Sequence, residues 1–436
     1  MPKHNFPAVI RKKLFTIIDD HVVRKHEFLS NPERDFTRRR KLSLDNMIKA
    51  TMLLGSGSID KEMLEYFDYQ PDTVTASAFT QQRDKLSDTI FKSIFHQFTH
   101  SFAHFKSMNG YRLVAVDGSD LHIPHNPRDA ETYFQSVPGT KGFNLLRVNA
   151  LYDLLNRVYL DGEIQPGRKA HERQALLEMM RRSDLDSPVL LIADRGYESY
   201  NVFAHMMAKG WKFLIRVKDK STRSMLGTFN TPASGEFDQI VHRELTRKQT
   251  KQVRQNPDRY KFLPTSVTFD FLNENTEFYP ISLRAVRVQL EDGSYQCFIT
   301  NLDDDIFPPE VIKSLYYLRW GIETSFRELK HTLALTHLHS KKKESIAQEI
   351  FAKMTMYNFC SIITSHVVIQ KDDRKYDYQV NFSKAISICK HYFKENNAFL
   401  DICKLIQKYI LPIRRGRTSP RKVKFRTFVS FNYRIA

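Results

Sequence analysis

Two apolar runs that each end on an aspartate constrain this chain more than any other feature. Leu113-Val114-Ala115-Val116 leads straight into Asp117-Gly118-Ser119, and Val189-Leu190-Leu191-Ile192-Ala193 leads into Asp194. A short run of consecutive apolar residues bounded by turn formers has no polar side to offer to water. Each therefore predicts a strand buried on both faces that delivers a carboxylate at its end.

The flanking segments complete a pattern. Residues 143–152 and 157–164, parted by 153–156, predict an antiparallel hairpin extending the first strand. A helix follows over about 172–182, then the 189–193 strand, a helix over about 199–209 and a strand over 212–217. The order βββαβαβ is the one a ribonuclease-H-like fold gives. The predicted class is α/β, with a mixed sheet and flanking helices.

Beyond 219 the chain turns β-rich, with strands expected over 265–272, 280–290 and 295–302 and a hairpin turn at Asp292-Gly293, which together read as an inserted β-subdomain. Helix resumes after Pro308-Pro309, with Glu310 in its first turn. With 436 residues the chain exceeds what one core usually spans. The expected units are a helical domain over 1–105, the first part of the ribonuclease-H-like core over 106–218, the β-rich insertion over 219–305, a core helix over 306–344, and a helical, basic C-terminal region over 345–436.

Charge points to the partner. Lys and Arg number 67 against 49 Asp and Glu, a formal surplus of +18 that favours a polyanion. No apolar run is long enough to span a membrane and the N-terminus has no secretory pattern, so no membrane partner is expected. The four cysteines form no CxxC pair, which argues against zinc and disulfides and suits a reducing cytoplasm.

In the N-terminal zone Leu44, Met47, Ile48, Thr51 and Leu54 recur at helical steps until Gly55-Ser56-Gly57-Ser58 interrupts them. A second helix starts near Ile59 and a third near 75–77, in an arrangement that resembles a helix-turn-helix. The third carries Gln81, Gln82, Arg83 and Lys85, side chains suited to base edges and phosphates, and Arg38-Arg39-Arg40-Lys41 precedes the set. The same charged faces also suit a solvated bundle. Likewise, the C-terminal strip Arg414-Arg415-Gly416-Arg417 and Arg421-Lys422-Val423-Lys424 fits either a phosphate backbone or a solvated tail.

The most specific signal lies in the helix after Pro309. Tyr316, Arg319, Glu323 and Lys330 fall within an arc of roughly 60° at about 100° per residue, so one ligand can meet all four. A stripe so charged would be costly against a core unless it met a metal or a phosphate. Arg327, on the same helix, is a further phosphate-binding candidate.

This pattern resembles that of bacterial insertion-sequence transposases of the DDE type, specifically the insertion-sequence-four family, which is defined by such a Tyr-Arg-Glu-Lys spacing. That family's first aspartate opens an Asp-Gly-Ser or Asp-Gly-Thr motif, matched by Asp117-Gly118-Ser119. Its second opens Asp-x-Gly, matched by Asp194-Arg195-Gly196, and Glu323 supplies the third carboxylate. The resemblance spans about residues 110–340, with weaker support around 77–83. Both Tyr197 and Tyr200 stand where the family favours an aromatic residue.

The resemblance implies a bacterial, nucleoid-associated enzyme that binds terminal inverted repeats and target DNA, acts as a homodimer in the synaptic complex, and cleaves and joins strands. Its catalytic and metal-holding residues would be Asp117, Asp194 and Glu323, with two Mg²⁺ ions, or Mn²⁺, about 3.5–4 Å apart and Asp117 shared between them. Tyr316, Arg319, Arg327 and Lys330 would meet DNA phosphates near the cut, and Arg83, Lys85, Arg38, Arg39 and Arg40 would meet them in the N-terminal zone. Residues 345–410 are the candidate dimer interface. Asp120 is the rival to Asp117, and a packing role for Trp320 is as open as a functional one. His122 and His125 lack partners with metal-ligand spacing. Two other functions share these features, a nuclease of the same fold and a catalytically silent DNA-binding protein.

Overall fold

The computed structural model describes residues 6–102, 106–135, 139, 141–185, 187–222, 224–369, 376–394 and 401–413. The C-terminal basic strip at 414–424 lies outside the described residues.

The N-terminal region holds α1 (Phe6–Val23), α2 (Leu44–Leu53), α3 (Ile59–Tyr66), α4 (Ala76–Arg83) and α5 (Thr89–His100). Local chemistry starts three of them. Ser43, Ser58 and Thr75 sit at N-caps with extended backbone, and their hydroxyls accept the N–H groups of Asn46, Lys61 and Ala78.

Next come β1 (Arg112–Ile123), β2 (Tyr133–Phe134), β3 (Phe143–Asp153), β4 (Val158–Pro166), α6 (Glu172–Arg182), β5 (Val189–Ala193), α7 (Tyr200–Ala208) and β6 (Lys212–Val217). β3 joins β4 and β1 antiparallel, while β1 to β5 and β5 to β6 are parallel. The resulting order β4-β3-β1-β5-β6 is ribonuclease-H-like.

β7 (Phe237–Thr246), α8 (Lys251–Gln255), β8 (Tyr260–Phe262), β9 (Phe278–Gln289) and β10 (Tyr295–Thr300) do not stand apart as a separate subdomain. β10 pairs antiparallel with β6, and β9, β7 and β8 follow in the same sheet. The pairing covers an edge of the core that would otherwise offer open backbone groups. The strand expected over 265–272 does not form. Side chains take two of its backbone groups instead: Arg247, which also holds the Pro264 carbonyl just before the segment (2.8 Å), donates to that of Val267 (3.2 Å), and Asn201 Oδ1 accepts from Asp270 N (2.9 Å).

The chain then forms α9 (Pro309–Leu318), α10 (Trp320–Arg327) and a π turn (Glu328–Thr332), followed by α11 (Lys343–Ser365), β11 (Tyr378–Val380), α12 (Phe382–Lys394), α13 (Ile402–Gln407) and β12 (Ile410–Pro412). α11 is buried along most of its length, packed by α1, α2, α5, α12 and β4. It therefore has no free face for a second subunit, which removes it from the 345–410 stretch expected to form the interface.

A buried charge cluster fastens α11 to its neighbours. Glu349 is fully buried, accepts from His339 N (3.0 Å), lies 3.2 Å from His339 Nδ1, and forms an ion pair with Arg83 Nη2 at 2.9 Å. His339 Nε2 lies 3.0 Å from the Gly57 carbonyl, in the turn between α2 and α3. One turn on, Lys353 donates to the carbonyls of Leu54 (2.9 Å) and Leu333 (2.7 Å). Burial alone would raise the Glu349 carboxyl, but Arg83, His339 and Lys353 outweigh it and hold it down to about 2.

Removing one partner of such a cluster leaves uncompensated buried charge, so Glu349→Ala is expected to lower the unfolding free energy in urea by about 3–5 kcal/mol. Because the folded-state pKa is depressed, Glu349's stabilisation is present above the unfolded value of about 4.3 and is lost as pH falls toward about 2. Acid titrations of the parent and Glu349→Gln should differ in that window, and parallel curves would contradict the assignment.

Candidate active site

β1 pairs in parallel with β5, with Val114 opposite Leu191 and Ala115 opposite Ile192. Continuing that register by two residues brings Asp117 level with Asp194, which directly follows β5. Alternation along each strand puts Asp117 on the face of Leu113, and Asp194 on that of Leu190 and Ile192. These apolar residues pack in one cluster with Ile312, Leu315 and Tyr316 of α9. The two aspartates thus extend a core face beyond its apolar rows, under the helix that covers it.

β1 does not end at Asp117. It runs on to Ile123, paired with β3 throughout. Asp120 therefore projects from the opposite face, where Arg147 of β3 holds it at 2.8 Å. The Asp117 and Asp194 carboxylates each take the N–H of a nearby glycine: Gly118 N to Asp117 Oδ1 at 2.8 Å, and Gly196 N to Asp194 Oδ1 at 2.9 Å.

The helix expected to carry Tyr316, Arg319, Glu323 and Lys330 as one regular face is segmented. Around Arg319 it tightens to three-residue hydrogen bonds, Arg319 N to Tyr316 O and Ile322 N to Arg319 O, both 3.1 Å. At Glu328–Thr332 it widens into the π turn. Arg319 sits at the joint, only 6% exposed. Its Nη2 bonds Glu323 Oε1 at 2.7 Å and its Nη1 lies 3.7 Å from Asp117 Oδ2. Tyr316 is buried against Phe298, with ring centroids 5.1 Å apart. Lys330, in the π turn, donates to the Asp120 carbonyl at 2.6 Å. Trp320 is half exposed, with the Arg319 guanidinium 5.1 Å from its ring centroid.

Burial pushes the Asp117 carboxyl up to about 6; the Gly118 N–H and Arg319 oppose this, while the charges of Asp194 and Glu323 add to it. One guanidinium thus serves two of the three carboxylates, Asp117 and Glu323. Among the described residues no three His, Cys, Asp or Glu side chains converge closely enough to hold an ion, and Arg319 stands between Asp117 and Glu323. The donor chemistry nonetheless fits a hard divalent cation, with carboxylate oxygens in excess of the local positive charge.

The N-terminal candidates divide. Arg38, Arg39 and Arg40 are exposed, and Arg38 and Arg40 line an open cleft with Arg34, Gln82 and Lys85. Lys85 is partly exposed, 3.3 Å from Asp35. Arg83 corrects the expectation made for it: it is buried at the end of α4, held by Glu349 and by the Ser345 carbonyl at 3.0 Å, where no DNA phosphate reaches. Arg327 is exposed. His122 and His125 meet aromatic rings, Phe143 and Tyr133. The sequence offered no sign of Arg147 or Glu172, which pair behind the aspartates.

A ribonuclease-H-like core that presents carboxylates beside one another on parallel strands, beneath a helix bearing a third, is built to cut polynucleotides. Residues 108–359, more than half of the chain, match the family described as Transposase DDE domain. The chain belongs to this family of DDE transposases, DNA-cleaving and strand-transferring enzymes that depend on divalent metal. It is 22% identical over 421 residues to the Escherichia coli (strain K12) transposase InsG for insertion sequence element IS4, across 89% of this chain and 87% of that protein. It is also similar to a solved piggyBac transposase synaptic complex with hairpin DNA, at a TM-score of 0.47 and 11% identity, across 95% of this chain and 87% of that one. No described helix is long and apolar enough to cross a membrane.

The crowding at Asp117 has a measurable consequence. Its folded-state pKa is raised, so the folded protein binds the extra proton between about pH 4 and about 6, and stability falls as pH rises through that window. Metal-free Asp117→Asn is expected to unfold at a higher temperature than the parent above about pH 7 and to lose that advantage below about pH 4. Equal melting temperatures at the higher pH would contradict the crowding.

Proposed function

We propose that this protein is the transposase of an insertion sequence, which binds the terminal inverted repeats of its own element and cuts them with Asp117, Asp194 and Glu323 as the catalytic carboxylates. The observation that carries this reading is the level placement of Asp117 and Asp194 on adjacent parallel strands, with Arg319 linking Asp117 to Glu323. The same three carboxylates would hold two Mg²⁺ ions, or Mn²⁺. Once bound, the ions supply an activated attacking oxygen and a stabilised leaving oxygen.

The chain's own side chains do the rest. Arg319 restrains Asp117 and Glu323 before DNA arrives, and its guanidinium is matched to a phosphate by the same fork geometry. Lys330 and Arg327 bring positive charge along the same side, and the buried Tyr316 supports Arg319 from beneath. The exposed Arg38, Arg39 and Arg40, with Lys85, would contact the backbone of the terminal repeat. Assembly of a homodimer on two element ends and capture of double-stranded target DNA belong to the same reading, as does action at the bacterial nucleoid.

The test is cleavage of DNA carrying the element's terminal repeats by the parent, Asp117→Ala, Asp194→Ala and Glu323→Ala, with and without Mg²⁺. Metal-dependent cleavage by the parent, lost in all three variants while DNA binding persists, is expected. Cleavage that survives one substitution would mean that the wrong carboxylate was chosen, and binding without cleavage by the parent would refute the enzyme assignment.

The arginine cluster gives an independent check. Replacing Arg38, Arg39 and Arg40 together by Ala should flatten the salt dependence of DNA binding, lowering the log–log slope by up to about 3 at ~0.9 per phosphate contact. An unchanged slope would remove the cluster from the DNA interface.

A further inference from the structure

The glycines that steady the two aspartates both lie against one ion pair. Gly118 and Gly196 donate their N–H groups to Asp117 and Asp194. A β-carbon on Gly118 would come 2.6 Å from both Arg147 Nε and Asn149 Oδ1, and one on Gly196 would come 3.0 Å from both Glu172 Oε2 and Asp194 Oδ1. Arg147 and Glu172 are themselves ion-paired. They come from different elements: Arg147 from β3, opposite Asp120, and Glu172 from the first residue of α6. The pair therefore occupies the sheet face away from Arg319 and touches the backbone beside both carboxylates.

Three further contacts converge there. Arg147 bonds Asp120, whose carbonyl receives Lys330 Nζ, so the pair is linked to the π turn after α10. Arg173 Nε donates to the Gly196 carbonyl at 2.8 Å, fixing the other side of that turn. The fully buried Tyr197 ring ends at the same place, its hydroxyl without a hydrogen-bond partner among the described residues. Burial raises that hydroxyl's pKa, the charges of Glu172, Asp117 and Asp194 raise it further, and Arg147 opposes them.

Stability alone does not account for the pair. The Arg147 and Glu172 side chains are 22% and 31% exposed at the rim of an open cleft, where ion pairs contribute about 0–1 kcal/mol. We propose that Arg147 and Glu172 are a positioning pair for the active site, fixing Gly118 and Gly196 and through them the orientation of the Asp117 and Asp194 carboxylates, without contacting metal or DNA themselves. The inference rests on the reading of Asp117 and Asp194 as metal-holding residues.

The experiment compares the full-length parent with Arg147→Gln, Glu172→Gln, the double variant and Asp117→Ala. Three quantities are measured: Mn²⁺ affinity of the DNA-free protein by electron paramagnetic resonance, single-turnover cleavage of terminal-repeat DNA, and melting temperature. Each single variant is expected to weaken Mn²⁺ binding and slow cleavage by about 10–100-fold, the usual cost of losing an outer-shell partner. The double variant should be no worse than the poorer single one, because the two residues act as a unit, and DNA affinity should stay at the parent's value. Parent-like Mn²⁺ affinity in Glu172→Gln would overturn the proposal, as would losses that follow melting temperature and appear equally in DNA affinity. A parent that binds Mn²⁺ no tighter than Asp117→Ala would instead refute the metal site itself, and the positioning role would fall with it.

Discussion

The parallel pairing of β1 with β5 is the constraint on which the catalytic region depends. It fixes the height of Asp117 relative to Asp194 and, through the two-residue period of a strand, the face on which both lie. A slip of one residue would turn either carboxylate to the opposite face, where Asp120 already meets Arg147. Because both strands are buried on both faces, that slip would also expose Leu113, Leu190 or Ile192 to the wrong neighbours. The hydrophobic core thus enforces the acidic geometry: the apolar rows of the two strands choose the register, and the aspartates inherit it.

A core face that ends in carboxylates creates an electrostatic problem, which Arg319 solves only in part. Its backbone lies where the covering helix tightens, and its guanidinium reaches both Asp117 and Glu323. Three carboxylates against one guanidinium leave an excess of negative charge, and the Asp117 carboxyl is raised first by burial and then by the charges of Asp194 and Glu323. Such a site is unstable by construction in the absence of positive charge from outside. Divalent-metal dependence follows from the same arithmetic, since a hard cation relieves the crowding that burial makes costly.

α11 ties the rest of the molecule to this site. Glu349 holds Arg83 at the end of α4, and through His339 it reaches the turn between α2 and α3. Lys353 bonds the carbonyls of Leu54, after α2, and Leu333, after the π turn that carries Lys330. The N-terminal helices and the helix that covers the aspartates are therefore anchored to one buried element, which sets the separation between the exposed arginines of the N-terminal region and Asp117. Each polar group in α11 is expensive to bury alone, and their mutual satisfaction makes the arrangement specific.

How much of this could be read from the sequence follows from the range of the interactions involved. The start of β1, the whole of β5, the hairpin of β3 and β4, and α6 are set by local patterning and were legible within a residue or two. The Tyr316, Arg319, Glu323 and Lys330 spacing was legible as a shared face, but the pinch at Arg319 and the π turn were not, because they depend on what the helix covers. Arg83 marks the limit most clearly. In a short polar helix it is indistinguishable from a phosphate-binding arginine, and only Glu349, 266 residues away, reveals that it is a structural cation. The segment 265–272 fails for the same reason, since its alternation suits a strand but Arg247 and Asn201 claim two of its backbone groups. Asp120 is the opposite case. Once β1 is allowed to run on through Gly118, the two-residue period alone separates Asp120 from Asp117. What hid that step was Asp-Gly-Ser itself, a turn signal in most chains, which here lies within a strand because Gly118 leaves room for Arg147.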